Sequence, residues 1–317
     1  MLKTFSIIYN PISTKFKMSI IEHIICRFVS KGMTLHKVEK SRYSGHVIEL
    51  IKQLDPDSDL LITVGGDGTV NEAFRAFYEI EQHSVYAHIS TGTTNDMANN
   101  FGLSRKDAIK SVDLLADGGH EAMMDSFTVN GEPVSYVSAF GFVAPIPYLV
   151  NNKLKKVLGH AAYVVSAVPV LASKQNKIKL TYEHDGVEEE CECIMACILN
   201  SKGTGGVNVF KDVDMNDGKF EAVFVKSLSP KLIKEIFIQY LKDDIDLRQY
   251  KEFTVAFSTD YLKIKFESTP KYEVDNDGNK ASFTLKDSNN TLEYKIGKKI
   301  KILLPAHETR SESNKQN

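Results

Sequence analysis

The sequence has no run of apolar residues long enough to cross a bilayer. Its longest weakly polar stretch, Ala161 to Ala172, falls short of the about 20 residues a spanning helix needs and is interrupted by Pro169. The chain also lacks a surplus of positive charge. Lysine and arginine number 39 against 41 aspartates and glutamates, a formal net charge of −2, which argues against a nucleic-acid binder driven by phosphate neutralisation. A local basic patch stays open: Asn151–Lys156 reads NNKLKK between Tyr148-Leu149-Val150 and Val157-Leu158. It is either an exposed segment or a contact for an anionic bilayer. Cysteine is scarce, and Cys191, Cys193 and Cys197 fall on one face of an alternating segment, CECIMACILN, together with Met195. They read as small buried hydrophobes rather than as metal ligands. No secretory signal precedes the first apolar segment, so the chain reads as intracellular and reduced. The nine histidines form no H-E-x-x-H or other paired-ligand pattern, and no G-x-x-x-x-G-K-[ST] loop occurs. There is no internal repeat and no low-complexity linker.

What remains is an ordinary globular composition, 42% hydrophobic and 25% charged over 317 residues, enough for two domains. The first 125 residues alternate between two textures. Strands are expected at Thr4–Tyr9, Leu35–Glu39, Asp59–Val64 and Val85–Ser90. Helices are expected at Lys17–Lys31, Gly45–Leu54, Val70–Glu79 and Asp107–Ala116, where apolar residues recur at helical spacing. Short apolar strands in βα units predict a mostly parallel sheet covered on both faces. Beyond Asp125 the pattern changes to strands joined by Gly, Asn and Asp turns: Phe127–Val129, Val134–Phe140, Lys177–Glu183, Glu190–Asn200, Lys219–Val225, Phe253–Ser258, Tyr261–Glu267 and Ala281–Leu285. Two helices, near Gly159–Lys174 and Pro230–Leu241, interrupt them. The expected architecture is an α/β N-terminal nucleotide-binding domain (1–125) and a mainly antiparallel β-sandwich-like C-terminal domain (126–295). Residues 296–305 return to the first domain, and 306–317 form a disordered tail.

Two polar turns carry the chemistry. The first, Gly65-Gly66-Asp67-Gly68-Thr69-Val70-Asn71-Glu72, stands where a buried strand gives way to a helix. Ligands of open α/β sheets bind at the carboxyl ends of strands. Glycines there let the backbone approach a phosphate, and N–H groups at a helix N-terminus supply partial positive charge. The second turn, Thr91-Gly92-Thr93-Thr94-Asn95-Asp96, also follows a strand. Asn10, after the first strand, opens on the same edge, with Lys15 and Lys17 beyond it as either phosphate ligands or a solvated helix start.

The pair GGDGTVNEAF and GTTNDMANNFG resembles the diacylglycerol kinase catalytic domain of bacterial lipid kinases, a family related to sphingosine and ceramide kinases. NPIS at Asn10–Ser13, SRYSGHVIEL at Ser41–Leu50, Met124-Asp125, AFGF at Ala139–Phe142, GHAAYVVSA, LNSKGTGG and DMNDGKFEAVFV at Asp214–Val225 extend the likeness to about Pro305. The resemblance implies a two-domain lipid kinase with ATP bound in the first domain and the lipid held in the cleft. By this likeness the nucleotide contacts are Asn10, Ser41, Gly66, Asp67, Gly68, Thr69, Val70, Asn71, Glu72 and Thr93. Asp67, Asp96 and Asp125 form the acidic network around a catalytic Mg²⁺. Asp214, Asp217 and the carbonyl of Lys219 hold a structural Mg²⁺, being hard oxygen ligands. Diacylglycerol converted to phosphatidic acid is the leading substrate. The other expected partners are ATP and a second copy of the chain, with no nucleic acid. The expected location is cytoplasmic, touching the inner face of the plasma membrane.

The family's Asp-Gly-Glu, whose acids are candidates for deprotonating the lipid hydroxyl, reads Asp277-Gly278-Asn279 here. An amide takes no proton in the working range. Either Asp277 is the base while Asn279 orients the hydroxyl, or the chain is a catalytically weak nucleotide- or lipid-binding protein. Asp275 and Glu273 would lie on the Asp277 face of an unbroken strand as substitute acids. An NAD kinase, which shares the GGDGT loop, is a further reading; GTTND and the long second domain favour the lipid branch.

Overall fold

The computed structural model describes residues 2–141, 177–229, 232, 239, 245–269 and 274–306. The helix expected near Gly159–Lys174, the basic run Asn151–Lys156, Glu273 and the tail from His307 lie outside the described residues. So does most of the helix expected at Pro230–Leu241. The chain divides into two compact units: residues 1–69, 81–123 and 301–317, and residues 70–80 and 124–300. The passage from one to the other falls inside a helix, so Val70–Ile80 groups with the second unit rather than with the first domain as expected.

The first unit runs β1 (Thr4–Tyr9), α1 (Met18–Ser30), β2 (Thr34–Lys40), α2 (His46–Leu54), β3 (Leu60–Gly65), the start of α3 (Asp67–Glu79), β4 (Val85–Ser90), α4 (Asp96–Asn100) and α5 (Ala108–Gly118). The strands are parallel in the order β2-β1-β3-β4. Every residue of β3 and β4 is buried, which is why both read as continuous apolar runs rather than alternating ones. Helices supply the covering layer. Ile20, Ile21, Ile24 and Phe28 of α1, Val47, Leu50, Ile51 and Leu54 of α2, and Val112 and Leu115 of α5 are buried at helical spacing. Each such side chain contributes roughly 1.5–3 kcal/mol when fully buried. Asp107 starts α5 by accepting the Lys110 N–H at 3.0 Å, a typical N-cap.

The second unit holds β5 (His120–Val129, from Met124 on), β6 (Glu132–Val134), β7 (Val137–Gly141), β8 (Ile178–His184), β9 (Val187–Cys193) and β10 (Met195–Leu199). It continues with the short pair β11 (Gly203–Thr204) and β12 (Val207–Asn208), then β13 (Phe220–Val225), β14 (Thr254–Thr259), β15 (Tyr261–Phe266), β16 (Asp275–Asn276), β17 (Asn279–Lys280) and β18 (Thr291–Leu304, as far as Ile300, its last residues belonging to the first unit). One antiparallel sheet runs β18-β15-β8-β9; another runs β14-β13-β10-β7-β16-β17. They share one core. Leu180, Tyr182, Leu262, Ile264 and Tyr294 come from the first sheet and Phe140, Ala196, Ile198, Phe220, Ala222 and Phe224 from the second. Phe140 meets Phe266 edge-on at 5.0 Å, and Tyr182 stacks on Phe224 at 5.0 Å. The fold class is the expected one, an α/β unit with a mostly parallel sheet followed by an antiparallel sheet domain.

Several expectations need correction. Glu190–Asn200 is not one strand. It breaks at Ile194, so Cys191 and Cys193 sit on β9 while Met195 and Cys197 sit on β10, in different sheets. The break lets a single stretch of chain serve both layers. Cys197 is fully buried, which pushes its thiol up to about 12, as an inert core group requires. Ala281–Leu285 forms turns rather than a strand; its Ala281 and Leu285 are buried and its polar residues are not. The last strand runs Thr291–Leu304, and its Ile302 lies parallel beside Tyr86 of β4. Among the described residues no helix is long and apolar enough to cross a membrane.

Candidate active site

In the first unit the two polar turns are built as one piece. Gly66 and Gly92 cross backbone to backbone: a Cβ on Gly92 would stand 2.7 Å from the Gly66 Cα and 2.8 Å from Asn95 Oδ1. No side chain fits there, so glycine is required at this point for packing alone. Thr91 N–H donates to the Gly65 carbonyl at 2.6 Å. The loop after β1 joins them. Asn10 Oδ1 accepts the Ile12 N–H at 3.1 Å, and Ser13 Oγ and Thr91 Oγ1 lie 2.7 Å apart. Thr14 and Thr93 hydroxyls meet at 3.2 Å, and Lys15 N–H donates to the Thr91 carbonyl at 2.8 Å. The Lys15 ammonium reaches the Arg105 carbonyl at 3.4 Å, which ties this loop down. Gly68 and Thr93 are exposed, while Asn10, Gly66 and Asp67 are half-buried. Ser41, buried at the end of β2, donates its N–H to Tyr9 O at 2.9 Å.

Helix α3 begins three residues earlier than expected, at Asp67. Asp67, Gly68 and Thr69 therefore form its first turn, and their N–H groups belong to a helix N-terminus. Val70 is 0% exposed, a core residue whose only route to a ligand is its backbone N–H. Asp67 turns toward the second loop: its Oδ1 accepts the Met97 N–H at 3.1 Å. Burial holds its pKa above the ordinary carboxylate value, opposed by the N–H groups of Met97, Asp96 and Asn95 and by the Arg105 charge. Sequence reading missed this tie, because α4 is too short to show a helical period. Asp96 is buried, with the Arg105 guanidinium 3.8 Å away. Asn95, in the left-handed region at φ 56°, donates to the carbonyls of Gly92 (3.1 Å) and Arg105 (2.8 Å). Below the loops, Thr63 Oγ1 lies 2.7 Å from the Tyr86 hydroxyl and 2.8 Å from His88 Nδ1. Burial pushes the His88 pKa down to about 3, so this polar layer carries no charge at neutral pH.

In the second unit the Asp277-Gly278 turn joins β16 to β17, with Asp277 at φ 53° and Gly278 at φ 80°. The turn ends the strand alternation, so Asp275 and Asp277 do not share a strand face as expected. Asp277 is 3% exposed. Its Oδ1 accepts the N–H groups of Tyr136 (3.0 Å) and Val137 (3.1 Å). Its Oδ2 accepts Ser135 N–H (2.7 Å) and Asn71 Nδ2 (2.6 Å). A carboxylate offers about four lone-pair positions, and all are filled. Through these four bonds Asp277 clamps the start of β7 and the Asn71 amide. Burial raises its pKa and the four donors oppose that shift. Asn279 is exposed, its amide 3.4 Å from the Asp277 carbonyl. Asp275 accepts Gly278 N–H at 2.8 Å through Oδ1. Burial raises its pKa, and the Asp277 carboxylate adds to the rise.

Asp125, 0% exposed, binds the loop 215–218. Its N–H donates to Met215 O at 2.7 Å and its Oδ2 accepts Gly218 N–H at 2.7 Å. The Lys299 ammonium stands 3.2 Å from its Oδ1. Asp214 and Asp217 are exposed, and each accepts the N–H two residues on, from Asn216 and Lys219 (both 2.9 Å). Among the described residues no group of three or more His, Cys, Asp or Glu could hold a metal ion. Mg²⁺ that arrives with a nucleotide needs only one or two carboxylates besides the phosphates, and the half-buried Asp67 and buried Asp96 suit that arrangement. In the Asp214–Lys219 loop the Lys299 ammonium meets the Asn216 carbonyl at 3.2 Å and its Oδ1 at 2.6 Å, while the carboxylates of Asp214 and Asp217, hard oxygen ligands of the kind a divalent ion takes, are exposed.

The chain is similar to known proteins in sequence and in fold. Residues 4–127 match the model of the diacylglycerol kinase catalytic domain. The diacylglycerol kinase of Bacillus subtilis (strain 168) is 28% identical over 229 residues, 71% of this chain and 74% of that protein. The diacylglycerol kinase of Staphylococcus carnosus (strain TM300) is 28% identical over the same shares. A crystal structure of a diacylglycerol kinase from Bacillus anthracis str. Sterne shares the fold, with a TM-score of 0.73 at 18% identity over 96% of this chain and 98% of that one. A second structure from that organism gives 0.77 at 19% identity over 94% and 96%.

Proposed function

We propose, from the premise that residues 4–127 are a diacylglycerol kinase catalytic domain, that this lipid kinase transfers the γ-phosphoryl group of ATP to a lipid hydroxyl. Diacylglycerol, giving phosphatidic acid, is the leading substrate, met at the cytoplasmic membrane surface. The observation that carries the nucleotide assignment is the Gly66–Gly92 crossing at the ends of β3 and β4. It leaves the Gly68 backbone and the Thr93 hydroxyl exposed beside a helix N-terminus, where phosphates are favoured. Asn10 and Ser41 border the nucleotide, and Asn71 and Glu72 extend the contact along α3. Mg²⁺, when bound with the phosphates, would neutralise charge on the transferred group.

The chain's own residues do the rest by position and field. Asp67 holds the two loops at fixed separation through Met97 N–H, and Asp96 is the carboxylate beside Arg105 within the same loops. In the second unit Asp277 fixes the turn that presents Asn279, whose amide orients the lipid hydroxyl. Asp275 is the carboxylate left to receive the proton, because its Oδ2 has no tie to the turn and its raised pKa suits a proton acceptor. Phosphoryl transfer rests mainly on positioning and charge stabilisation, so one amide in place of a carboxylate is compatible with turnover. The filled Asp277 carboxylate also supports a second reading, a nucleotide- or lipid-binding protein with weak catalysis.

The test is transfer of labelled phosphate from ATP to diacylglycerol and a small lipid panel in mixed micelles with Mg²⁺, with NAD⁺ as a parallel acceptor. Wild type, Asp67→Ala and Asn279→Glu are compared after circular dichroism shows each is folded. Label in lipid from wild type, lost in Asp67→Ala, is expected. Product only from Asn279→Glu would favour the binding protein. Label in NAD⁺ and none in lipid would overturn the lipid kinase.

A further inference from the structure

The two glycine turns of the first unit meet a cation that lies outside both motifs. Arg105 falls between α4 and α5, and its backbone is anchored among the loops. Its carbonyl accepts Asn95 Nδ2 at 2.8 Å and the Lys15 ammonium at 3.4 Å, and Asn95 also binds the Gly92 carbonyl at the glycine crossing. On either side of it the chain is held by Ser104 Oγ, which accepts the N–H groups of Lys106 (3.3 Å) and Asp107 (3.0 Å) in a local turn. From this fixed backbone the side chain reaches the acidic residues of the loops. Its Nη2 stands 3.8 Å from Asp96 Oδ1. Its charge also favours the ionised form of Asp67, against the burial that raises that pKa. The Arg105 side chain is 23% exposed and that of Asp96 3%, so the guanidinium faces solvent with the carboxylate behind it.

Charge decides what this arrangement can do. A nucleoside triphosphate brings several negative charges to a place that already holds Asp67 and Asp96, and like charges at close range repel. The N-terminus of α3 and Mg²⁺ carried by the phosphates offset part of that repulsion. A guanidinium is the side chain best shaped to offset more, because its planar fork of N–H donors matches phosphate oxygens. The 3.8 Å contact with Asp96 is longer than a hydrogen bond, whereas a phosphate oxygen is taken at about 2.8 Å. Phosphate is therefore the stronger partner, and the length of the side chain lets the guanidinium change partners without moving the anchored backbone.

We propose, resting on the kinase reading above, that Arg105 binds the terminal phosphates of the nucleotide, its guanidinium passing from Asp96 to the phosphate oxygens. In the free protein Arg105 compensates the buried Asp96 carboxylate. With nucleotide present, Asp96 is left to the Mg²⁺ that accompanies the phosphates.

The readout is binding, independent of turnover. Dissociation constants of ATP, ADP and AMP are measured by calorimetry in Mg²⁺ for wild type, Arg105→Met and Arg105→Lys, after circular dichroism shows each is folded. Arg105→Met should weaken ATP at least about tenfold, ADP less, and AMP by no more than about twofold. Arg105→Lys, which keeps the charge and loses the fork, should show a smaller loss with the same grading. An Arg105→Met protein that binds ATP as wild type does would overturn the proposal. So would an equal loss for all three nucleotides, because a residue that only shapes the loops has no reason to count phosphates. Wild type that binds none of the three would instead remove the nucleotide site itself, and this proposal with it. Should Arg105→Met fail to fold, the grading in Arg105→Lys still decides.

Discussion

Replacing Gly92 by alanine should destabilise the first unit, whereas the same change at Gly68, inside the same pair of motifs, should not. The Gly92 methyl would lie 2.7 Å from the Gly66 Cα and 2.8 Å from Asn95 Oδ1. A relaxed heavy-atom contact is about 3.5–4.0 Å, so the loops must separate by about 1 Å. Neither neighbour yields easily. One is backbone, and the other is an amide held by the Gly92 and Arg105 carbonyls. Overpacking of this kind costs about 1–3 kcal/mol, and the rigid neighbours place Gly92→Ala in the upper part of that range. A Cβ on Gly68, by contrast, meets nothing within 4 Å, and its φ is not positive. Removing a helical glycine there should add up to about 0.5–1 kcal/mol. Urea denaturation followed by far-UV circular dichroism reads both, and the chain has no tryptophan to report by fluorescence. A Gly92→Ala midpoint equal to wild type, or a Gly68→Ala midpoint below that of Gly92→Ala, would refute the crossing as the reason for the glycine.

Two other perturbations test the second unit. Glu221, buried on β13, has its pKa pushed up to about 7, first by burial and then by the Asp217 charge. Its folded pKa exceeds its unfolded one, so stability is fully present below about pH 4.5, falls as pH rises to about 7, and is constant above. The total loss is about 3 kcal/mol; Glu221→Gln should flatten that slope in melts taken from pH 4 to 8, and an unchanged slope would count against it. Asp277→Asn replaces one acceptor oxygen with a donor facing two N–H groups. The expected cost is about 2–4 kcal/mol, seen as a lower denaturation midpoint; a variant as stable as wild type would mean that the clamp contributes little.

Much of the first unit can be read from the chain because its signals are local. A strand buried on both faces needs a continuous apolar run, and Leu60–Gly65 and Val85–Ser90 show one. The helices between them carry their buried residues at helical spacing, and the glycine turns fall at the strand ends where a parallel sheet must turn. The Asp277-Gly278 hairpin is equally local, since both residues tolerate a positive φ. The errors fall where two distant segments settle the outcome. Alternation continues smoothly through Ile194, and nothing in CECIMACILN says that β9 and β10 join different sheets; their partners, β8 on one side and β7 and β13 on the other, decide it. Ala281–Leu285 has the composition of a strand but joins no sheet of the described residues.

The site divides along the same line. The sequence by itself determined where the two glycine turns fall, at the ends of β3 and β4, because a buried strand shows as an apolar run and the turn that ends it shows as glycine. The jobs of the carboxylates were left to the tertiary structure. Asp67 reaches Met97 thirty residues away, Asp277 gathers donors from Asn71 and Ser135–Val137, and Asp125 finds its cation at Lys299. A buried charge takes whatever donors the fold brings within about 3 Å, and those donors lie far off in sequence, so its role becomes readable only once the chain has closed on itself.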